Sequence, residues 1–418
     1  MRIHRDYSRP FFSQRRRGSG LTFVLMVGLL IGGFVVFVSL RFNQLQLAAL
    51  DIIGMAPTPT PMPNQRALHG LEMYAQGDVT GALVVFETTV QERPDDVNYL
   101  YEYGQLLIEN DRFDEAIPVA ERMIRLAPND PRGYFVKARA LMWTDSALAI
   151  QTSIQGLDAD PNFAPLYAVQ GVAYTNLGRW NEGIRNGRRA EELDPNDPFV
   201  QRSLYYPLSY VGLWQDAINA LEQAIVLNPN LIGPYFELAA LYMVPQVNQP
   251  EMAVAIYNRV IEMQPENAKA YLRLCETFAR VENARFDIAQ PYCDQAIEID
   301  PAYASAYRQR GQMQYNRRNY EGSIESFNQC IAYGSEEIEC YYLRGLAHFW
   351  LGQCDVAWDI LNESRVRGLE EGIAESVMNQ IDIGLGNIID LCPGYNAVNT
   401  PTPIPPTAIP ATPIGGFG

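Results

Sequence analysis

The sequence contains very little histidine. Only three histidines occur in 418 residues, His4, His69 and His348, and they lie far apart without the spacing of a Cys/His metal site. No strand pattern appears, so no glycine-rich phosphate loop can follow a strand. Adjacent acidic residues such as Glu191 and Glu192 are typical of a solvated helix face. We therefore expect no catalytic residue, no metal, no cofactor and no enzyme activity.

Positive charge is also scarce in this chain. The sequence has 32 lysines and arginines against 48 aspartates and glutamates, a net charge of −16. This balance argues against a nucleic acid partner, because binding to phosphates needs a basic face. The charge is uneven, since residues 1–19 carry six arginines and a single aspartate. The sequence predicts a basic tip, residues 1–19, on an acidic body.

One long uncharged run follows the basic tip. Leu21 to Leu40 reads LTFVLMVGLLIGGFVVFVSL, and about 20 apolar residues span a hydrocarbon core of about 30 Å. We predict a transmembrane helix at 20–41, with the arginines keeping the N-terminus in the cytoplasm. The chain would then be a single-pass cell membrane protein whose body lies outside the cytoplasm. The alternative is a cleaved signal peptide, whose apolar region is usually only about 7–15 residues long.

Two segments rich in proline and threonine flank the body of the chain. Residues 42–63 are expected to form a juxtamembrane helix that ends in the extended linker APTPTPMP. Residues 393–418 are expected to be a disordered tail, which includes TPTPIPPTAIPATP at 400–413. The spacing of Gly28 and Gly32 can pack two membrane helices together. This spacing is compatible with a homodimer that forms through the membrane helices.

A proline recurs through the body of the chain at a period near 34 residues. Each instance ends a helical pattern and is followed by a polar turn, as in EELDPND at 191–197. The recurring prolines are Pro94, Pro128, Pro161, Pro195, Pro229, Pro265 and Pro301. Small residues also recur where two helices would approach closely, for example Gly104 and Ala116. Such a period is typical of a helix–turn–helix solenoid.

These repeats resemble tetratricopeptide repeats. The stretch YAVQGVAYTNLGRWNEGIRNGRRAEELDPND at 167–197 matches a single unit closely. The resemblance implies an all-α solenoid of about nine repeats over 64–366, followed by a capping helix at 371–391 that shields the open end. We predict that residues 64–392 form this solenoid with its cap.

All six cysteines lie in the C-terminal half of the predicted solenoid. Outside the cytoplasm an even number of cysteines favours disulfides. The helical-hairpin frame places cysteines together in three pairs, namely Cys275 with Cys293, Cys330 with Cys340, and Cys354 with Cys392. The alternative is a set of buried free thiols.

In a tetratricopeptide-repeat superhelix the first helix of each repeat lines the concave face. Residues four apart on those helices share a face, and here that face is rich in aromatics and arginine, which are favoured binding anchors. The candidate partner-binding residues are Tyr101, Phe135, Arg139, Arg202, Tyr206, Phe236, Met243, Arg308, Tyr315 and Tyr342. The alternative is that some of these aromatics pack inside the superhelix.

The partner is expected to be a protein or peptide. Some related repeats grip a C-terminal carboxylate with lysines and asparagines, but Lys137 and Lys269 are isolated here, so an extended peptide with apolar side chains fits better. We expect a membrane-anchored scaffold or adaptor outside the cytoplasm, an envelope assembly or accessory factor. The alternative is a structural spacer or self-associating envelope component without a groove ligand.

Overall fold

The computed structural model describes residues 62–280 and 284–395, and within these ranges the chain is all-α, with nineteen helices and no strand. The basic tip, the predicted membrane helix, most of the linker and nearly all of the predicted tail lie outside the described residues. Among the residues that are described, no helix is both long enough and apolar enough to cross a membrane.

The helices follow one another as antiparallel neighbours joined by short turns. They are α1 (Pro63–Ala75), α2 (Val79–Glu92), α3 (Val97–Glu109), α4 (Phe113–Leu126), α5 (Pro131–Leu141), α6 (Ser146–Ala159), α7 (Ala164–Asn176), α8 (Trp180–Leu193), α9 (Pro198–Tyr210), α10 (Trp214–Leu227), α11 (Gly233–Met243), α12 (Pro250–Met263), α13 (Ala268–Phe278), α14 (Phe286–Ile299), α15 (Ala304–Asn316), α16 (Tyr320–Ala332), α17 (Ile338–Trp350), α18 (Cys354–Glu371) and α19 (Glu375–Leu391). They form nine pairs, α1/α2 to α17/α18, with α19 packed on α18.

The recurring proline turn ends one repeat and starts the next. In the Pro-Asn-Asp form of the turn the aspartate caps the following helix, since the Asp197 carboxylate accepts the backbone N–H of Phe199 at 2.7 Å. A tyrosine six residues after the proline donates its hydroxyl to the proline carbonyl. This bond joins Tyr134 to Pro128, Tyr167 to Pro161, Tyr235 to Pro229 and Tyr307 to Pro301, at 2.9–3.2 Å. The same hydrogen bond therefore stabilises the turn in four of the repeats.

Small residues allow the two helices of a repeat to touch. A Cβ added to Gly171 on α7 would lie 3.2 Å from the backbone carbonyl oxygen of Gly183 and from the backbone nitrogen of Gly187, both on α8. In the first repeat a Cβ on Gly70 would lie 2.7 Å from the ring of Phe86. Larger side chains at these positions would force the paired helices apart.

The three cysteine pairs that the sequence predicts lie at disulfide distance, with S–S separations of 2.02–2.08 Å. Cys275–Cys293 joins α13 to α14, Cys330–Cys340 joins α16 to α17, and Cys354–Cys392 joins the start of α18 to the end of α19. The alternative of six free thiols does not fit this arrangement. The last bridge fastens the capping helix to the ninth repeat.

Replacement of the last bridge, Cys354→Ser with Cys392→Ser, should loosen the capping helix selectively. A bridge closing a loop of this size contributes about 2–4 kcal/mol to stability, mainly by restricting the unfolded chain. Ile381 and Ile388 still pack in the core, so α19 should remain folded but open more often. Hydrogen exchange should be faster in α19 and unchanged in α3 to α6. The matched control, Cys275→Ser with Cys293→Ser, should leave α19 unaffected; equal exchange in α19 for both double variants would contradict this assignment.

Candidate functional site

The superhelix brings two distant turns into contact. The side-chain amide of Asn230, in the turn between α10 and α11, donates to the backbone carbonyl of Ala75 at 2.7 Å. Gly77, in the turn between α1 and α2, has φ +88° and lies so close that an added Cβ would be 2.8 Å from the carbonyl oxygen of Asn230. The turn after the fifth repeat thus rests on the turn within the first repeat, and the concave surface between them is partly enclosed.

The enclosed space is a cavity of about 710 Å³. First helices of the repeats, together with the turns beside them, supply most of its wall. Among the side chains that line it are Glu109, Arg139, Trp143, Phe199, Arg202, Tyr206, Glu237 and Lys269. We call this space the first cavity. Its lining combines aromatic rings with paired charges.

A chain of alternating charges crosses the wall of the first cavity. Arg139 pairs with the Glu109 carboxylate, and Arg202 approaches the other oxygen of that carboxylate at 3.7 Å. Arg202 also donates to Glu237 in a two-pronged pairing at 2.6–3.0 Å. The side chains of Arg139 and Glu109 are only 6% and 12% exposed. Two cations and two anions alternate, so the cluster is neutral as a whole.

The positions of these charges change the pKa values in the cluster. Burial works to raise the pKa of Glu109, but the guanidinium groups of Arg139 and Arg202 outweigh it and hold this pKa below its usual value. Burial works to lower the pKa of Arg202, but Glu237 and Glu109 raise it overall. Glu109 and Arg202 are therefore charged at neutral pH. The Nε atom of Arg139 is buried and has no hydrogen-bond partner among the described residues.

Aromatic side chains form the rest of the first cavity's wall. The Arg139 guanidinium lies over the Phe199 ring, 4.7 Å from its centre. Trp143 meets Tyr206 edge to face at 5.1 Å, and the Tyr206 hydroxyl donates to the side-chain oxygen of Asn176 at 2.9 Å. These contacts hold Tyr206 in place while leaving it half-buried.

A second cavity of about 600 Å³ continues along the same surface. It shares Tyr205, Glu237 and Lys269 with the first cavity. Phe236 and Met243 line it, and the ammonium group of Lys269 lies 4.8 Å from the centre of the Phe236 ring. The two cavities form one groove from the first repeat to the seventh.

The ten predicted partner-binding residues do not all lie in the groove. Five line the groove, namely Arg139, Arg202, Tyr206, Phe236 and Met243. Phe135 is 1% exposed and packs among Tyr101, Phe163 and Phe199, so the alternative of internal packing holds for it. Tyr342 is buried and donates to Gln380 at 3.1 Å. Arg308 is half-buried, and Tyr315 lies beside Trp350 in the last repeats.

Sequence reasoning missed several groove residues, notably Glu109, Trp143 and Glu237, and it set Lys269 aside as an isolated lysine. Glu109 could have been found, because it lies four residues after Gln105 on the same face of α3. Glu237 directly follows Phe236, so it lies on a different side of α11 from the residues that share the face of Phe236 by a spacing of four. The partnership of Glu109 with Arg202 joins the second repeat to the fifth and has no signal in the sequence.

The variant Glu109→Gln should destabilise the fold by about 3 kcal/mol at pH 7, because it leaves two largely buried guanidinium groups with one carboxylate. The pKa of Glu109 is lower in the folded chain, so its contribution is complete above its unfolded value of about 4.3. It is then lost as the pH falls through the folded value. The difference in unfolding free energy between the original chain and the variant, measured by denaturant titration, should therefore shrink in acid.

The matched control is Glu115→Gln, which removes an exposed partner of Arg112 one helix away. It should cause no measurable change in stability, since exposed ion pairs contribute little. If Glu109→Gln were as stable as this control at pH 7, the charge chain would not support the fold.

Comparison with known proteins agrees with this architecture. Tetratricopeptide-repeat family models match residues 73–140 and 278–337. The human mitochondrial import receptor subunit TOM70 is 26% identical over 220 residues, which are 50% of this chain and 35% of the receptor. The Hsp70-Hsp90 organizing protein of Triticum aestivum is 21% identical over 264 residues, which are 63% of this chain and 40% of that protein. The chain thus spans less than half the length of these curated relatives.

A solved structure is similar over a larger share of the chain. The crystal structure of the APC/C hetero-tetramer Cut9-Hcn1 covers 74% of this chain and 59% of its own, with a TM-score of 0.52 and 14% identity. At this identity the likeness concerns the fold alone. The repeat period, the nine helix pairs and these matches together show that the chain contains a solenoid of tetratricopeptide repeats.

Proposed function

We propose that the chain is a membrane-anchored scaffold that holds a protein partner outside the cytoplasm by binding an extended segment of it in the groove. The observation that carries this proposal is the groove itself, two adjoining cavities of about 710 and 600 Å³ lined by aromatic rings and paired charges. Tetratricopeptide-repeat solenoids are protein-interaction scaffolds, and such extended concave surfaces are what they use for binding.

The charges of the groove favour a ligand of a particular chemistry. Arg139, Glu109, Arg202 and Glu237 already neutralise one another, so these four side chains do not call for a charged ligand group. The rings of Tyr206, Trp143 and Phe199, which also line the first cavity, are still available for contact with a ligand. An extended segment with apolar side chains covers such surfaces, and its backbone amides can bond the polar groups between them.

The names of the matched relatives support a role in binding proteins. One is named as a mitochondrial import receptor subunit and another as an organizing protein for Hsp70 and Hsp90. The proposed location outside the cytoplasm rests on the uncharged run at 21–40 and on the three disulfide pairs, which are typical of oxidising compartments.

A cross-linking experiment tests the groove. The photoreactive amino acid p-benzoylphenylalanine is placed at Ala240, an exposed groove residue, in the full-length chain expressed in its own cells. Irradiation should give a discrete cross-linked product with another protein, because a segment bound in the second cavity lies against this position. Tyr206→Ala with Phe236→Ala should reduce that product at least about fivefold, since two aromatic contacts are worth more than 1 kcal/mol together.

The matched control carries the same photoreactive group at Val226, which is 72% exposed on α10. The product should be absent there. Equal cross-linking at both positions, or a product that the double variant leaves unchanged, would place the binding site outside the groove. A product made only of this chain would instead favour the self-associating spacer.

The proposed topology has a separate test. Alkaline phosphatase, which matures only outside the bacterial cytoplasm, is fused after Gly418 of the full chain in a bacterial host. The fusion should be active and membrane-bound, because six arginines in the first 19 residues hold the N-terminus inside. Deleting residues 20–41 should abolish both properties, whereas an active fusion after this deletion would overturn the anchor.

A further inference from the structure

Near the C-terminal end of the solenoid, three aromatic side chains form an exposed patch. Trp350, which ends α17, is 54% exposed. Its ring stacks on Tyr320 at 6.1 Å with an angle of 13° between the rings, and its indole N–H donates to the Tyr315 hydroxyl at 3.0 Å. We call Tyr315, Tyr320 and Trp350 the C-terminal aromatic patch. None of its members lines the groove.

The patch is exposed and yet held in one arrangement. Stacking and the hydrogen bond fix the Trp350 ring, so its outer face is a flat and preformed apolar surface. The Tyr315 hydroxyl accepts from Trp350 and so retains its own hydrogen for donation to an outside acceptor. A flat aromatic surface beside an available hydroxyl donor fits a ligand with apolar rings and accessible carbonyl groups.

The chain leaves the described structure close to this patch. Cys392 is bonded to Cys354, and the Tyr395 hydroxyl donates to Asp355 at 2.5 Å. Tyr395 also packs on Trp358, with ring centres 5.3 Å apart. Only the turn at 351–353 separates Trp350 from the start of α18 at Cys354. Tyr395 is therefore held beside Asp355 and Trp358, which follow Trp350 by five and eight residues in the chain.

The segment that follows has the matching chemistry. Residues 400–413, TPTPIPPTAIPATP, carry no charge and contain six prolines. Proline-rich segments favour the polyproline II helix, whose carbonyls have no internal hydrogen bonds and whose rings dock on aromatic surfaces. Four residues separate Tyr395 from Thr400, and the five steps between these two residues reach up to about 17 Å when extended.

We propose that the C-terminal aromatic patch is a binding site for polyproline II segments, and that its occupant is this chain's own segment 400–413. The short path from residue 395 gives the segment a high effective concentration at the patch, in the millimolar range for a short flexible linker. A weak contact between proline rings and tryptophan is then enough to hold it. The proposal is independent of the groove and of its partner.

Photo-cross-linking of the full chain in detergent tests this assignment. With p-benzoylphenylalanine at Ile404, irradiation should yield a product that migrates as a monomer and whose cross-linked peptide contains Tyr315, Tyr320 or Trp350. Trp350→Ala should reduce this product at least about fivefold, as should Pro405→Ala with Pro406→Ala. The Trp350 side chain is half exposed and loses only the contacts to Tyr315 and Tyr320, so its replacement should lower the thermal unfolding midpoint by no more than a few degrees.

The matched control is Trp143→Ala, which removes a tryptophan that is 49% exposed after α5. It should leave the cross-link unchanged. A cross-linked dimer would show that the segment belongs to a second copy and would overturn the intramolecular assignment. A product mapping elsewhere, or one equally strong in Trp350→Ala, would overturn the site. Capture of a different proline-rich protein in place of segment 400–413 would overturn the assignment of this segment as the occupant.

Discussion

The close approach of paired helices is the constraint on which the rest of the molecule depends. In the fourth repeat Gly171 lies against the backbone of Gly183 and Gly187, and in the first repeat Gly70 lies against the ring of Phe86. Because small residues recur at nearly equal intervals, successive first helices stack at nearly equal distances. Hydrogen bonds between residues 34 or 35 apart follow from this stacking, such as Arg139 to Gln105 and Trp350 to Tyr315.

The same stacking places charges where they would be costly alone. Arg139 and Glu109 are almost fully buried, and a buried charge is stable only when it is paired and hydrogen-bonded. Arg202 of the fifth repeat and Glu237 of the sixth complete the series across the superhelix. These four charges in the wall of the first cavity thus satisfy one another, and aromatic side chains such as Tyr206 remain beside them for contact with a ligand.

How much could be predicted from the sequence depended on the range of each interaction. Helix ends, repeat number and the cysteine pairs followed from signals within one or two repeats, such as Pro195 with Asp197, or Cys275 and Cys293 on the two helices of one hairpin. Phe135 was predicted to face a partner, but Phe163 and Phe199 from the next two repeats cover it. The pairing of Glu109 with Arg202 depends on the pitch of the superhelix, which accumulates over several repeats. A pattern within one or two repeats cannot predict this pitch.

The two halves of the solenoid are held by interactions of very different strength. In the second half three disulfide pairs join neighbouring helices, all beyond residue 274. In the first half, the contact between Asn230 and Ala75 that encloses the first cavity contains one hydrogen bond, which contributes about 1 kcal/mol. One such bond is weak compared with the disulfides of the second half, and the approach of Arg202 to Glu109 is a second link across the first cavity. The braced half begins within the groove itself, because Cys275 lies on α13, whose residues Lys269 and Arg273 line the second cavity.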